Sequence, residues 1–479
     1  MNRKMVFYLL GKVIIIEAAL LSLPLICSLC YGEKCISSFL ITIAICLALG
    51  FLLIVAHKPK DKTIFAKEGF VIVAFAWIVL SALGALPFVI SGEIPSFIDA
   101  FFETVSGFTT TGASILHGPE VEAMSKGLLF WRSFTHWIGG MGVLVFIMAI
   151  IPNFTDRSIH IMRAEMPGPI VGKLVPRVKD TAKILYLIYI VLTVLEAIFL
   201  LCGGMSLFDS LVHTFGTAGT GGFGIKNDSI ASYSPYCQWI ITIFMLIFGI
   251  NFNLFYLILM KKFTTAIKSG ELWTYIIIVV TSIGFITANT LSLATNLSDT
   301  IRDSAFQVSS FITTTGYTTT DFNAWPDFSK SILLILMFIG GCAGSTAGGI
   351  KVARVVMLFK NIKREIRKLI HKRSVNAVHF EGRSVDETTF NGVNTYLAIY
   401  FVCIFAVFVL VSFDSLGFEA NFTATVSCVN NIGPFFGGMS TFAAYSGFSK
   451  IIFSFAMLFG RLEIFPMIIM LSPRTWVKK

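Results

Sequence analysis

Four times along this chain, a short apolar stretch that opens with an acidic residue runs into a knot of small, hydroxyl-bearing and glycine residues. Each unit lies between two long apolar runs. The first reads Asp99-AFFETVSGFTTTGAS, the second Asp209-SLVHTFGTAGTGGFG, the third Asp303-SAFQVSSFITTTGYTTTD and the fourth Glu419-ANFTATVSCVNNIGPFFGG. Acid and glycine are 13 residues apart in Asp99–Gly112, Asp209–Gly222 and Asp303–Gly316, and 14 apart in Glu419–Gly433. That register selects Gly222 over its neighbour Gly221. The glycines recur at offsets of 110, 94 and 117, so the chain is an internal fourfold repeat of helix, short re-entrant helix, extended loop and helix.

The flanking runs set the solvent. They lie near 10–31, 37–56, 68–91, 127–151, 182–202, 236–260, 273–294, 328–358, 394–413 and 448–470, each about long enough to cross a bilayer. With 55% hydrophobic and only 13% charged residues, the expected fold is an all-α polytopic membrane protein. The expected parts are an N-terminal transmembrane hairpin (1–62) and four pore repeats (63–165, 166–262, 263–375 and 376–479), the third carrying a glycine-rich intramembrane loop. The basic, apolar N-terminus is too long in its apolar part for a signal peptide and has no small-x-small cleavage site, so it is expected to be the first span. The nine cysteines are scattered. Cys27, Cys30 and Cys35 cluster, but nothing completes a zinc site, and the cysteines are expected to be small buried hydrophobes.

The net charge of +10 is an orientation signal rather than a nucleic-acid footprint. Of 37 Lys and Arg, 29 fall in the alternate segments 1–12, 57–67, 155–183, 261–268, 351–383 and 472–479. This is the positive-inside pattern, with both termini cytoplasmic.

Non-helical backbone cannot face lipid, because its amides and carbonyls would go unsatisfied. Four re-entrant loops must therefore be buried together or line a watery path. Asp99, Asp209, Asp303 and Glu419 are expected to start the short helices, where orphan amides and the positive dipole end favour an acid. The opposite ends then aim carbonyls inward, toward a cation. The following loops present stacked carbonyls, and glycine lets four chains approach closely. Rings of carbonyls that replace a hydration shell select potassium in known pores.

These motifs together resemble the TrkH-type membrane subunits of the Trk/Ktr/HKT superfamily of potassium transporters. The matching pieces are FTTTGA (108–113), TGGF (220–223), TTTGYTTTDF (313–322), NNIGP (430–434), MPGPIVGKLVPRVKDTAKILYLIY (166–189), GGCAGSTAGGIK (340–351) and FGRLEIFP (459–466). The resemblance covers nearly the whole chain. It implies potassium uptake across a bacterial cytoplasmic membrane through a filter holding potassium ions. That filter is expected to run through Thr110, Thr111 and Gly112; Thr220, Gly221 and Gly222; Thr314, Thr315 and Gly316; and Asn431, Ile432 and Gly433. In the superfamily, glycine at all four matching positions goes with potassium selectivity.

The run containing Gly340, Gly341, Gly344, Ser345, Gly348 and Gly349 weakens a helix at mid-depth, by about 1 kcal/mol per glycine against alanine. It is either a close helix-packing motif or a break. In the family the matching loop is a gate, and the arginine matching Arg461 projects into the pore below the filter. Lys351 is expected to anchor the loop to a carboxylate or to carbonyls. An Arg461–Glu463 pair is the plainer alternative for that arginine. The basic segment KNIKREIRKLIHKR (360–373) suits anionic lipid headgroups or a docked regulator. The chain has no Walker A string and no G-x-G-x-x-G after a strand, so no nucleotide is expected on the chain itself. The family pairs this subunit with a cytoplasmic TrkA-like nucleotide-binding ring and forms homodimers.

Enzyme readings fail on the residues. Ser345 precedes Thr346 rather than glycine, and His136 and His213 have no evident link to it. An alternating-access, sodium- or proton-coupled carrier would favour inverted repeats, whereas these repeats run in one orientation. A less selective sodium/potassium pore of the same fold is the remaining alternative.

Overall fold

The computed structural model describes residues 2–60, 66–142, 178–293, 296–371, 378–438 and 441–476. The expected repeat boundaries at 62/63, 165/166 and 375/376, and the first half of the motif at 166–189, lie outside these residues.

The N-terminal segment is a helix pair, Arg3–Leu20 and Ser22–Tyr31, capped at its start by the Asn2 side chain, which accepts from the Met5 amide. Pro24 explains the interruption near Leu21, because proline lacks an N–H and its ring crowds the carbonyl four residues back. Ile36–Ala56 returns antiparallel and packs along the first helix.

Each repeat then has the same three parts. The leading spans are Lys67–Ser91, Val178–Cys202, Gly270–Thr290 and Glu387–Val411. The pore helices are Phe97–Phe108, Leu207–Gly219, Leu297–Ile312 and Phe418–Asn430. With 12 to 16 residues they are roughly 18–24 Å long, too short to cross a bilayer core. The trailing helices are Lys126–Gly140, Pro235–Phe248, Asp327–Ile339 and Gly447–Arg461.

The ten expected spans are not ten continuous helices. Among the described residues, six helices are long and apolar enough to cross a membrane, or seven if one bent pair is a single span. The difference lies in the trailing helices, all of which stop partway. Pro235–Phe248 turns by 87° into Phe252–Leu259. Asp327–Ile339 stops at Gly340 and resumes as Val352–Ile370, and Gly447–Arg461 resumes as Phe465–Leu471. The first ends at Gly140, close to the limit of the described residues. Hydropathy does not register these stops because most of the interrupting residues are apolar or small, with Asn251, Lys351 and Glu463 the exceptions.

The repeats interlock. The trailing helix of repeat 1 packs on the pore helix of repeat 2, that of repeat 2 on the pore helix of repeat 3, and that of repeat 3 on the pore helix of repeat 4. The trailing helix of repeat 4 packs back on the pore helix of repeat 1, closing the ring. Outside it, large apolar side chains such as Phe51, Leu187, Val194, Val280 and Val402 stay exposed, as a lipid-facing surface requires.

Candidate functional site

All four pore helices end in one backbone device. The residue two before each repeat glycine is left-handed: Thr110 (φ 55°), Thr220 (54°), Thr314 (55°) and Asn431 (56°). The next amide reaches back five residues: Thr111 to Ser106 (2.9 Å), Gly221 to Gly216 (2.8 Å), Thr315 to Ser310 (2.8 Å) and Ile432 to Ser427 (3.0 Å). This is the Schellman bond pattern, which satisfies orphan carbonyls as the chain leaves a helix. It turns the loop sharply off the helix end. A non-glycine residue there costs roughly 1–2 kcal/mol of backbone strain, which the extra bonds offset.

The loops then meet in order. Gly112, Gly222, Gly316 and Gly433 all have positive φ, between 72° and 98°. A Cβ on Gly112 would lie 1.9 Å from the Gly221 carbonyl oxygen, and one on Gly222 would lie 1.9 Å from that of Thr315. One on Gly316 would lie 2.1 Å from the Ile432 oxygen, and one on Gly433 would lie 2.7 Å from the Thr111 oxygen. Each glycine thus faces the carbonyl before the glycine of the next repeat, and the fourth faces the first. No side chain fits at any of the four.

Hydroxyls brace this ring. Thr111 shares a hydrogen bond with Thr109, and Thr315 with Thr313, each at 2.8 Å. Asn431 Nδ2 donates to Thr111 Oγ1 and to the Met457 carbonyl, both at 2.9 Å, so repeats 1 and 4 are joined at the ring. On one side of the ring a cavity of about 410 Å³ is lined by all four glycines and by the loops that follow them.

Below the ring lies the loop from Gly340 to Lys351. Gly340, Gly344 and Gly349 have φ of 73°, 69° and 78°, so the run is a break, not a packing motif. The Gly348 amide donates to Thr314 Oγ1 at 2.6 Å, and a Cβ on Gly348 would lie 2.1 Å from the Asn430 carbonyl oxygen. The Cys342 amide donates to Gly249 at 2.9 Å, and a Cβ on Gly341 would strike the Ala347 methyl at 2.6 Å. Ser345 closes a turn onto the Cys342 carbonyl at 2.6 Å. Lys351, buried, donates to the Ala347 carbonyl, so of the two expected anchors the structure has the carbonyl.

Arg461 ends the trailing helix of repeat 4. It donates to Thr346 of the loop at 2.8 Å, and to Gly139 and Gly140 of repeat 1 at 2.5 and 2.7 Å. Glu463 instead receives Arg354 on both carboxylate oxygens at 2.8 Å, so that alternative partner for Arg461 is occupied elsewhere. Glu463 and Ile464 are both left-handed (φ 54° and 69°), a strained pair, the more so for a β-branched residue.

The acids divide. Asp99 and Asp209 sit in the first turn of their helices, capped by Ser96 and Ser206, and Glu419 is the second residue of its helix. Lys450 of repeat 4 reaches Asp99 at 2.7 Å. Asp303 does not start a helix: the third pore helix begins at Leu297, with Asn296 as cap and Asp299 in the first turn. The extra turns come from a good capping sequence upstream. Asp303 instead accepts from Thr319 at 3.3 Å and lies 3.6 Å from Arg302 Nε, bracing the outgoing loop.

Sequence reasoning missed a buried ion pair, Arg132–Glu103 at 2.6 Å. Arg132 also donates to the Gly224 carbonyl at 2.9 Å, and Glu103 accepts from Ser114 Oγ at 2.9 Å and the Ile115 amide at 3.0 Å, so the pair ties the outgoing loops of repeats 1 and 2. The signal was there: one arginine inside an apolar run and one carboxylate inside a pore helix. His136 and His213 are packing residues, contacting the Gly107 carbonyl (2.8 Å) and Tyr233 (3.1 Å) respectively. Among the described residues no group of three or more His, Cys, Asp or Glu is placed to hold a metal. All nine cysteines are free and five are buried, but Cys27 and Cys403 are only half-buried, and Cys30 and Cys202 are exposed, contrary to expectation. Both sit on outer helix surfaces of an apolar bundle, where a small thiol is tolerated.

Four loops closed into a ring inside a bundle of membrane-length helices make this a multi-pass membrane protein. A family model described as "TrkH: Cation transport protein" matches residues 35–477. The Trk system potassium uptake protein TrkH of Escherichia coli (strain K12) is 35% identical over 490 residues, covering 99% of this chain and 100% of that protein. TrkG of the same strain is 33% identical, covering 95% and 94%. The crystal structure of the potassium transporter TrkH from Vibrio parahaemolyticus superposes with a TM-score of 0.89 at 30% identity, covering all of both chains. The chain belongs to the TrkH family of cation transport proteins.

Proposed function

We propose that this chain takes up potassium across the bacterial cytoplasmic membrane through a channel-like pore, with both termini cytoplasmic. The observation that carries the reading is the ring in which each repeat glycine abuts the carbonyl of the next repeat. Thr110–Gly112, Thr220–Gly222, Thr314–Gly316 and Asn431–Gly433 act as the filter, their backbone oxygens replacing the hydration shell of potassium. Four helix C-termini aimed at the ring add partial negative charge. The loop 340–351 and Arg461 act as the gate. A guanidinium hydrogen-bonded to three carbonyls beneath the ring sets a positive charge where a cation would leave. The relatives' own names support potassium as the ion. A TrkA-like nucleotide-binding subunit regulates the gate, a second copy completes a homodimer, and the basic face of Val352–Ile370 meets anionic lipid.

The test is flux of potassium, rubidium, sodium and lithium by the purified protein in liposomes, with Gly316→Ser alongside. Potassium and rubidium flux whose selectivity is lost in the variant supports the carbonyl filter. An unchanged variant sinks it and moves an ion-coupled carrier ahead.

A further inference from the structure

A contact chain leads from the cytoplasmic connection between repeats 3 and 4 to the loop under the ring. Residues His379–Phe380 and Arg383–Ser384 pair as a small antiparallel hairpin. Its two-residue turn, Glu381 (φ 48°) and Gly382 (φ 73°), has the left-handed pair that hairpin twist favours. From that tip Glu381 Oε1 accepts from the Glu271 amide at 3.0 Å and from Ser269 Oγ at 3.1 Å. Ser269 is the cap of the leading span of repeat 3, so Glu381 completes the start of that helix. The Glu271 side chain, buried, then turns toward the loop. Its Oε1 accepts from the Ala343 amide at 2.6 Å, and its Oε2 accepts from Asn251 Nδ2 at 3.4 Å.

A second contact runs in parallel. Phe380 is buried in an apolar cluster with Ala353, Met357 and Phe390, and Ala343 of the loop packs against the same cluster. Lys360 fastens the hairpin to the helix that leaves the loop, donating to the His379 carbonyl at 2.7 Å. The hairpin therefore touches the loop through one charged and one apolar route.

We propose that the hairpin is a cytoplasmic handle on the loop. Glu381 and Glu271 are positioning residues: Glu381 sets the first turn of Gly270–Thr290, and Glu271 on that turn holds Ala343 in place. Displacing the hairpin frees Ala343 and lets the loop leave the axis. The inference rests on reading 340–351 as the gate.

The test uses the full-length protein in liposomes without any partner, with Glu271→Ala, Glu381→Ala, Glu381→Gln, the double alanine variant and Arg461→Ala. A hydrogen bond to a carboxylate is strong enough that Glu271→Ala raises potassium flux by about tenfold and Glu381→Ala by about threefold. Glu381→Gln, which keeps an acceptor oxygen, stays near wild type. The double variant equals Glu271→Ala alone, and the potassium-to-sodium ratio is unchanged throughout. Hydrogen exchange of the peptide containing Ala343 rises in Glu381→Ala but not in Glu381→Gln, a readout that survives even if flux is lost. If Arg461→Ala and Glu271→Ala both leave flux unchanged, the gate reading has failed. If Arg461→Ala raises flux while Glu381→Ala changes neither flux nor exchange, only the handle is overturned.

Discussion

The ring and the loop beneath it are both built from glycine-rich, non-helical backbone, yet they are held in opposite ways. In the ring, each turn is set by its own pore helix through a left-handed residue and a five-residue back-bond, and each glycine is wedged against a neighbouring carbonyl. Those contacts are backbone to backbone and cannot be released without unwinding a helix end. In the loop, backbone bonds such as Cys342 to Gly249 are joined by ties from distant side chains: Thr314 to Gly348, Arg461 to Thr346 and Glu271 to Ala343. Each is a single bond that a small displacement can break. On the proposed reading, the part that discriminates ions is rigid by construction and the part that moves is fastened by separable clasps.

Breaking the comparison takes substitutions on either side of it. The largest effect is expected from Gly222→Ala, whose methyl would meet the Thr315 oxygen at 1.9 Å. Potassium flux should fall by about 100-fold, with discrimination against sodium lost in what remains. Wild-type selectivity in a folded variant would mean the ring is softer than described. Next is Arg461→Ala, which removes three bonds and a charge from beneath the ring. Flux should rise at least about tenfold with ion preference intact, read from rubidium uptake into liposomes. Thr314→Val is the sharper case, because Thr314 belongs to the ring through its backbone and to the loop through its hydroxyl. A rise of about threefold with unchanged selectivity would keep the two regions separate; a collapse of selectivity would join them. The smallest effect is expected at Lys330→Ala, where the lysine reaches the exposed Asp327 at 2.9 Å on the trailing helix of repeat 3. Flux should not change, and the melting temperature should move by no more than about 2 °C.

The same contrast explains what could be read from sequence. The ring was legible because its device is local: a fixed 13- or 14-residue spacing from acid to glycine, repeated between apolar runs. Even there, Asp303 misled, since the spacing marks a position relative to the glycine and not the helix start, which Asn296 sets. The glycine-rich break at 340–351 was visible as composition. The stop after Arg461 was not, because Leu462, Glu463 and Ile464 carry no glycine and their left-handed turn depends on Arg354 arriving from another repeat. Likewise, nothing near Glu271 in sequence announces Ala343, 72 residues away. Tertiary clasps leave little trace in a single sequence.

Because each trailing helix packs on the pore helix of the next repeat and the fourth closes on the first, the four quarters of the ring are covalently one chain. A pore assembled from four identical subunits would carry any arginine four times, as a ring of four charges about its axis. Here the symmetry is broken at no such cost: one quarter contributes Arg461 and another the loop it fastens, while the other two supply only carbonyls to them, Gly139 and Gly140 to Arg461 and Gly249 to the loop. If the loop is the gate, a single unit of charge and a single loop can then be adjusted without replacing the carbonyls that all four quarters share.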